Sequence, residues 1–340
     1  MTDQFFTAVG IVVIGRNEGE RLRRCFESVG NIGSRVVYVD SGSTDGSVAM
    51  ARVRGVDVVE LDMSIPFCAA RARNAGYQRL LEVDPGLRFI QFIDGDCEMV
   101  GDWLRLAVES LRSRPELAIV AGWLRERAPE ASIYNRLCDV EANFSGAGEV
   151  DSVGGIFMVR REAFDRVGGF DPSIVAGEEP ELCQRLRQQG WRFIRLGQAM
   201  AVHDLAMTRF SQWWKRMVRF GYGSTDVALR FGLARFRRDS LRALFWSTWL
   251  VVVLIGAALG VAGAQDGTAA WLVLALLGLW PLQVGRIALR SWRDGRPFGL
   301  SAAYAFFLML SYWPQMVGQL IYWSDRLHKR SFRLIEHKRT

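Results

Sequence analysis

Residues 243–263 run from Ala243 to Gly263 without a charged side chain, 21 positions rich in Val, Leu and Trp. A helix of that length is enough to cross the roughly 30 Å hydrocarbon core of a bilayer. A second charge-free run, Thr268–Gly285, follows the link Ala264-Gln265-Asp266-Gly267, which has no basic residue. Arg235, Arg237, Arg238 and Arg242 precede the pair, and Arg286, Arg290, Arg293 and Arg296 follow it. Basic flanks mark cytoplasmic ends. The pattern predicts a transmembrane hairpin over 243–289 with both ends cytoplasmic. Phe298–Trp323 is a third uncharged stretch, carries Pro314, and is basic on both flanks. Segment 290–340 is therefore expected to be an interfacial or re-entrant helix broken at Pro314, with a basic cytoplasmic tail; a third true span is the alternative. Within 206–242, Phe210, Trp213, Trp214, Met217 and Phe220 share one helical stripe, with Arg209, Lys215, Arg216 and Arg219 to its sides. That is the pattern of a basic amphipathic helix lying in a membrane interface, or of a helix packed on its own domain.

The charge follows the same division. Residues 1–205 carry 24 Lys/Arg against 30 Asp/Glu, whereas residues 206–340 carry 19 against 6. The basic surplus flanks membrane-length runs, which argues against a nucleic-acid partner. The five cysteines, Cys25, Cys68, Cys97, Cys138 and Cys183, form no CxxC and read as scattered reduced thiols. The start, MTDQFF, lacks the basic and apolar regions of a signal peptide. The expectation is a catalytic domain over 1–205 facing the cytoplasm at the inner membrane. No repeat is evident, and the sequence gives no oligomeric state.

The first 205 residues alternate between two periodicities. Val9–Ile14, Val36–Val39, Val56–Leu61 and Arg88–Ile93 are short apolar runs rich in β-branched residues, separated by helical patterns such as Cys68–Val83. Such alternation means an α/β layer on a mostly parallel sheet, with ligands bound outside the C-terminal strand ends. Strand one is followed by GRNEGE rather than GxGxxG, which disfavours a dinucleotide-binding dehydrogenase. Asp40 and Asp94 fall at strand ends. In Phe89–Glu98 (FIQFIDGDCE) the acids Asp94 and Asp96 are one glycine apart. On an extended segment they would point the same way and repel unless a divalent cation, carrying a phosphorylated ligand, sat between them. Gly154-Gly155 permits close backbone approach to a ligand or is a plain turn. Glu178-Glu179 opens a helix, where carboxylates are favoured. His203 ends an apolar stretch and is followed by Asp204, which could orient its ring.

VVIGRNEGE at 12–20, VVYVDSGSTDGS at 36–47, AARARNAG at 69–76, the DxD of Asp94–Asp96 and GEEPELCQRLR at 177–187 together resemble the family-2 glycosyltransferases of the GT-A fold, over residues 8–205. The membrane-anchored members that act on polyprenyl phosphates or surface glycans are the nearest likeness. The resemblance implies a GT-A domain followed by an α-helical membrane region, and inverting transfer from a UDP- or GDP-sugar to a lipid-linked acceptor. It implies nucleotide-sugar contacts at Arg16, Glu18, Asp40, Asp45, Arg73 and Asp94, with Asp40 accepting hydrogen bonds from the base. It implies Mg²⁺ or Mn²⁺ at Asp94, Asp96 and His203, and Glu179 as catalytic base in place of the family's Asp. Gly154, Gly155, Glu178, Trp213, Trp214 and Arg219 fall to the acceptor side. The QxxRW motif of processive synthases is not intact around Gln212-Trp213-Trp214-Lys215-Arg216. A processive polysaccharide synthase is therefore the lesser enzyme reading, and a non-catalytic nucleotide-sugar-binding membrane scaffold the competing class.

Overall fold

The computed structural model describes residues 7–30, 35–142, 146–232, 234–263 and 268–328. The chain divides after Thr208 into two compact units. In the first, β1 (Val9–Gly15), α1 (Glu20–Ser28), β2 (Val36–Asp40), α2 (Ser47–Val53), β3 (Asp57–Glu60), α3 (Ala69–Val83) and β4 (Phe89–Asp94) alternate as the sequence predicts. There follow β5 (Cys97–Met99), α4 (Trp103–Ser113), β6 (Leu117–Glu126), α5 (Ile133–Ala142), β7 (Gly148–Glu149), β8 (Phe157–Arg160), α6 (Arg161–Arg166), α7 (Glu178–Gln188) and β9 (Arg192–His203).

Among the described residues, nine strands join one sheet, ordered β3-β2-β1-β4-β8-β6-β9-β5, with β7 also on β9. Successive side chains of β1 feed opposite faces. Ile11 and Val13 enter the core under α1 and α4, while Val12 and Ile14 enter the core under α3 and α7. All but Ile14 are fully buried, and each such side chain contributes about 1.5–3 kcal/mol by leaving water. This double burial explains why the strand is apolar throughout rather than alternating. The sheet is mixed rather than mostly parallel. β1, β2, β3 and β4 run parallel to one another, but β8 runs antiparallel to both β4 and β6.

Two register facts position the site. Gly15 pairs with Asp40 and Ile14 with Asp94, so both acids lie along one row of C-terminal strand ends. Because β8 is antiparallel and Phe157 pairs with Phe92, the residues just before β8 approach the end of β4. Helix α3 sits low on the sheet at Gly76, where an added Cβ would meet Val12 and come within 2.8 Å of Val39 Cγ2. Arg73, one turn earlier on the same helix, thereby comes level with the strand ends.

The second unit comprises α8 (Phe210–Phe231), α9 (Ala234–Gly263), α10 (Thr268–Arg293) and α11 (Phe298–Leu327). Among the described residues one helix, over Ala234–Gly256, is long and apolar enough to cross a membrane. The side chains of residues 257–263 and of the first half of the expected second span, 268–275, lie outside the described residues. The expected break at Pro314 is not found: α11 is continuous through it. A proline inside a helix costs roughly 3 kcal/mol. Packing offsets that cost, since Met309, Pro314, Gln315, Gly318 and Tyr322 are all buried. Backbones of α8 and α11 approach at Gly221 and Gly318, where a Cβ on Gly318 would stand 2.7 Å from the Tyr222 nitrogen. The aromatic stripe of α8 is divided: Trp213 is buried edge-on to Phe307, whereas Phe210 and Phe220 are exposed.

Candidate active site

Four charged side chains converge where β4 ends. Arg73 is 3% exposed, and its Nη1 donates to Glu178 Oε1 at 2.9 Å and to Glu179 Oε1 at 3.2 Å. Its Nη2 donates to Asp94 Oδ1 at 3.3 Å. Glu178 and Glu179 are delivered by the first turn of α7, which follows Gly177, a glycine in the left-handed region at φ 94°. The backbone at Gly155 closes the cluster. A Cβ there would collide with Arg73 Nη2 and stand 3.1 Å from Glu179 Oε1 and 3.4 Å from Asp94 Oδ2. Gly154 has open space beside it. The close approach at Gly155 is thus to the Arg73 guanidinium of this chain.

Three carboxylates surround one guanidinium, and the electrostatics follow. Burial opposes charge on Arg73, but Glu179, Asp94 and Glu178 outweigh it and push its pKa up. Burial, then repulsion from Glu178, pushes Glu179 up to about 7, while Arg73 pulls the other way. A carboxyl poised near neutrality suits a general base. Glu179 remains 14% exposed and Asp94 37%, so both can meet a ligand. Glu178 is buried against Arg73, with 5% of its side chain exposed.

Asp96 faces elsewhere. The chain turns at Gly95-Asp96, and Asp96 Oδ2 lies 3.1 Å from His203 Nε2. The two acids of the motif therefore have different partners, since the segment is not extended between them. Cys97 pairs with His203 across β5 and β9, and its thiol lies 3.5 Å from Asp96 Oδ1. Among the described residues, Asp96, Cys97 and His203 form a group whose ligand atoms lie close enough to share one ion. Carboxylate and imidazole donors fit a divalent cation; Asp94 lies outside this group and accepts from Arg73. Asp204 does not orient the His203 ring. Strand alternation turns it away, and it takes Arg24 Nη2 at 2.8 Å.

The expected nucleoside residues build two interlocked turns. Asp40 is buried, accepting from Tyr38 Oη at 2.8 Å and from the Gly42 and Ser43 amides at 2.9 and 2.8 Å. Burial, then the charge of Asp40, pushes the Tyr38 hydroxyl's pKa well up, so it donates as a neutral phenol. Asp45 accepts from the Ser47 amide at 3.0 Å, at the start of α2. Asn17, at φ 54°, ties the loops together: its amide donates to Ser43 Oγ, and its Oδ1 accepts from the Thr44 amide. Glu18 is buried beside Gly15 and Gly95, ion-paired to Arg21 at 2.8 Å, and Arg16 is half-buried. Trp213, Trp214 and Arg219 belong to the second unit, where Trp213 is only 2% exposed and Trp214 and Arg219 are half-buried.

Sequence reasoning missed what surrounds Arg73. Asn74 bonds both backbone groups of Phe170, at 2.8 and 3.0 Å, and the Phe170 ring lies 5.6 Å from the Arg73 guanidinium carbon. The signal was present in GGFDP, where an aromatic follows two glycines that both adopt positive φ.

Two family profiles match this chain. The glycosyl transferase family 2 profile covers residues 10–168, and that of the N-terminal domain of galactosyltransferase covers residues 141–209. The chain carries a glycosyl transferase family 2 domain. It is 29% identical over 244 residues to a pre-mycofactocin glycosyltransferase of Mycobacterium tuberculosis, matching 65% of this chain and about half, 48%, of that protein. It is 25% identical over 328 residues to the succinoglycan biosynthesis protein ExoA of Rhizobium meliloti, matching 92% of this chain and 94% of that one. Among solved structures, the mannosyltransferase of Pyrobaculum calidifontis in complex with GDP-Man and Mn²⁺ superimposes with a TM-score of 0.59 at 18% identity, covering 92% of this chain and 87% of that one. The fold is GT-A-like, a mixed sheet with flanking helices followed by a helical region.

Proposed function

We propose that the chain is an inverting glycosyltransferase that moves a sugar from a UDP- or GDP-linked donor to a lipid-linked acceptor at a membrane. The observation that carries this reading is Glu179, held by Arg73 beside Asp94 and with its pKa raised to about 7. In the reaction the acceptor hydroxyl oxygen forms a bond to the anomeric carbon. Glu179 takes the hydroxyl proton, and the bond to the diphosphate oxygen breaks with its electron pair leaving on the nucleoside diphosphate. A general base of this kind contributes on the order of 10²–10⁴ in rate. Asp96 and His203, with Asp94, would hold Mg²⁺ or Mn²⁺. When bound, the ion neutralises charge on the departing diphosphate.

The membrane side of the reading rests on the second unit. Leu244, Val252, Ile255 and Leu282 are exposed on α9 and α10, and Arg235, Arg238, Arg286 and Arg290 are exposed at their ends. Helix α11 meets α9 near its basic start: Gln319 donates to the Ser240 carbonyl at 3.0 Å, and the Met316 sulfur accepts from Ser247 Oγ. With basic residues at the helix ends, α11 would lie at the interface, and both termini and the catalytic domain would face the cytoplasm. The test uses purified protein in detergent with Mn²⁺, a panel of nucleotide sugars and a lipid extract. Sugar transferred to lipid with inverted anomeric configuration, and lost in Glu179→Gln, is the expected result. Label found only in a long polymer would point to a processive synthase. Donor binding without turnover would point to a scaffold.

A further inference from the structure

The Arg73 guanidinium is more deeply buried than a group that reads a diffusing nucleotide needs to be. It is 3% exposed, and both of its Nη atoms are engaged by carboxylates of this chain. The shortest of the three bonds goes to Glu178, itself buried, and the longest to the more exposed Asp94. Three independent features hold it there. Gly76 lets α3 settle onto β1 and β2, Asn74 clamps the Phe170 backbone so that its ring lies against the guanidinium, and Gly155 supplies a wall with no side chain. Arginine suits such a place because its planar fork can serve several carboxylates at once, which a lysine ammonium cannot do in the same geometry.

We propose that Arg73 is a positioning residue: anchored on Glu178, it fixes the carboxylate of Glu179 relative to Asp94, and it does not read the nucleotide. The proposal rests on the glycosyl-transfer reading above. It differs from a donor-binding role in what it costs when removed. A nucleotide contact contributes to donor affinity, whereas a fixed base contributes only once the acceptor attacks. It also makes Glu178 part of the same unit, because Glu178 is buried against Arg73.

The experiment compares Arg73→Lys, Glu178→Gln and the double variant with the wild type, measuring kcat for transfer and, by calorimetry, the Kd of UDP and GDP in the presence of Mn²⁺. Arg73→Lys is expected to lower kcat on the order of 10²-fold, the effect of misplacing a reacting group by about 1 Å. Nucleotide Kd is expected to stay unchanged. Glu178→Gln leaves Arg73 in place but loosens its anchor, so it should lower kcat with the same unchanged Kd. The double variant should lose less than the product of the two single losses, because both act through one geometry. Weaker nucleotide binding with kcat retained in Arg73→Lys would make Arg73 a donor contact and overturn the inference. If Arg73→Lys fails to fold, Glu178→Gln decides, and an unchanged kcat there overturns it equally. A wild-type protein without turnover sinks the transfer reading and this inference with it, whereas an active wild type whose variants lose only affinity sinks this inference alone.

Discussion

Replacing Gly155 with alanine tests the site at the point where its tolerance is smallest. The new Cβ would overlap Arg73 Nη2 and stand 3.1 Å from Glu179 Oε1 and 3.4 Å from Asp94 Oδ2. Carbon contacts settle near 3.5–4.0 Å, so the guanidinium has to retreat by roughly 1 Å. Gly155 is not among the glycines with positive φ, so the cost is steric rather than conformational. Overpacking of this kind typically costs about 1–3 kcal/mol of stability. The retreat also weakens at least one charge-assisted hydrogen bond, each contributing about 1.5–3 kcal/mol. A displacement of about 1 Å at a reacting centre costs on the order of 10²-fold in rate. The expected outcome is a kcat about 100-fold below wild type, measured by nucleoside diphosphate release during transfer, with a modest fall in Tm. Gly285→Ala, on α10, is the control: nothing lies near its Cβ, and it should behave as wild type. Full activity in Gly155→Ala, or equal losses in the two variants, would refute the argument that close approach at residue 155 shapes the site.

Glu179 gives the site a pH dependence. Its carboxyl must be ionised to act as base, so kcat/KM should fall as the pH drops through about 7, and this limb should vanish in Glu179→Gln along with about 10²–10⁴ of the rate. The same shift bears on stability with a definite sign. The folded protein binds this proton more tightly than the unfolded chain, so the contribution is full below the reference value of 4.5 and is lost as the pH rises to about 7, which urea titrations at several pH values can follow. His203→Ala removes the ring that faces Asp96, and Mn²⁺ affinity followed by calorimetry should fall at least 10–100-fold, with apo-protein Tm little changed. Gly318→Ala forces α8 and α11 apart, because the obstacles at 318 are the Val218 carbonyl and the Tyr222 nitrogen rather than a flexible side chain. It should destabilise the second unit by about 1–3 kcal/mol, seen as lower thermal stability in detergent.

Much of the first unit was legible because burial on both faces leaves a signature that needs no partner to interpret. Val9–Ile14 reads as a strand whatever lies beside it, and Asp40 and Asp94 stand out because each ends such a run. What periodicity cannot carry is strand direction. The reversal of β8 leaves its apolar pattern unchanged, yet that reversal brings Gly155 to the end of β4. The expectation that the two acids of the DxD point the same way is not met for a related reason: side chains two apart share a face only while the chain stays extended, and a turn at Gly95-Asp96 sends one acid to Arg73 and the other to His203. Pro314 taught the converse. Local chemistry predicted a break, but the packed face of α11 outweighs one missing hydrogen bond. The least legible feature was Arg73, whose sequence context suits a solvated helix arginine equally well. Only the fold shows that Gly76, Asn74, Phe170 and Gly155, spread from position 74 to position 170, combine to bury it among three acids. Removing one partner of such a buried cluster leaves an uncompensated charge, which costs about 3–5 kcal/mol.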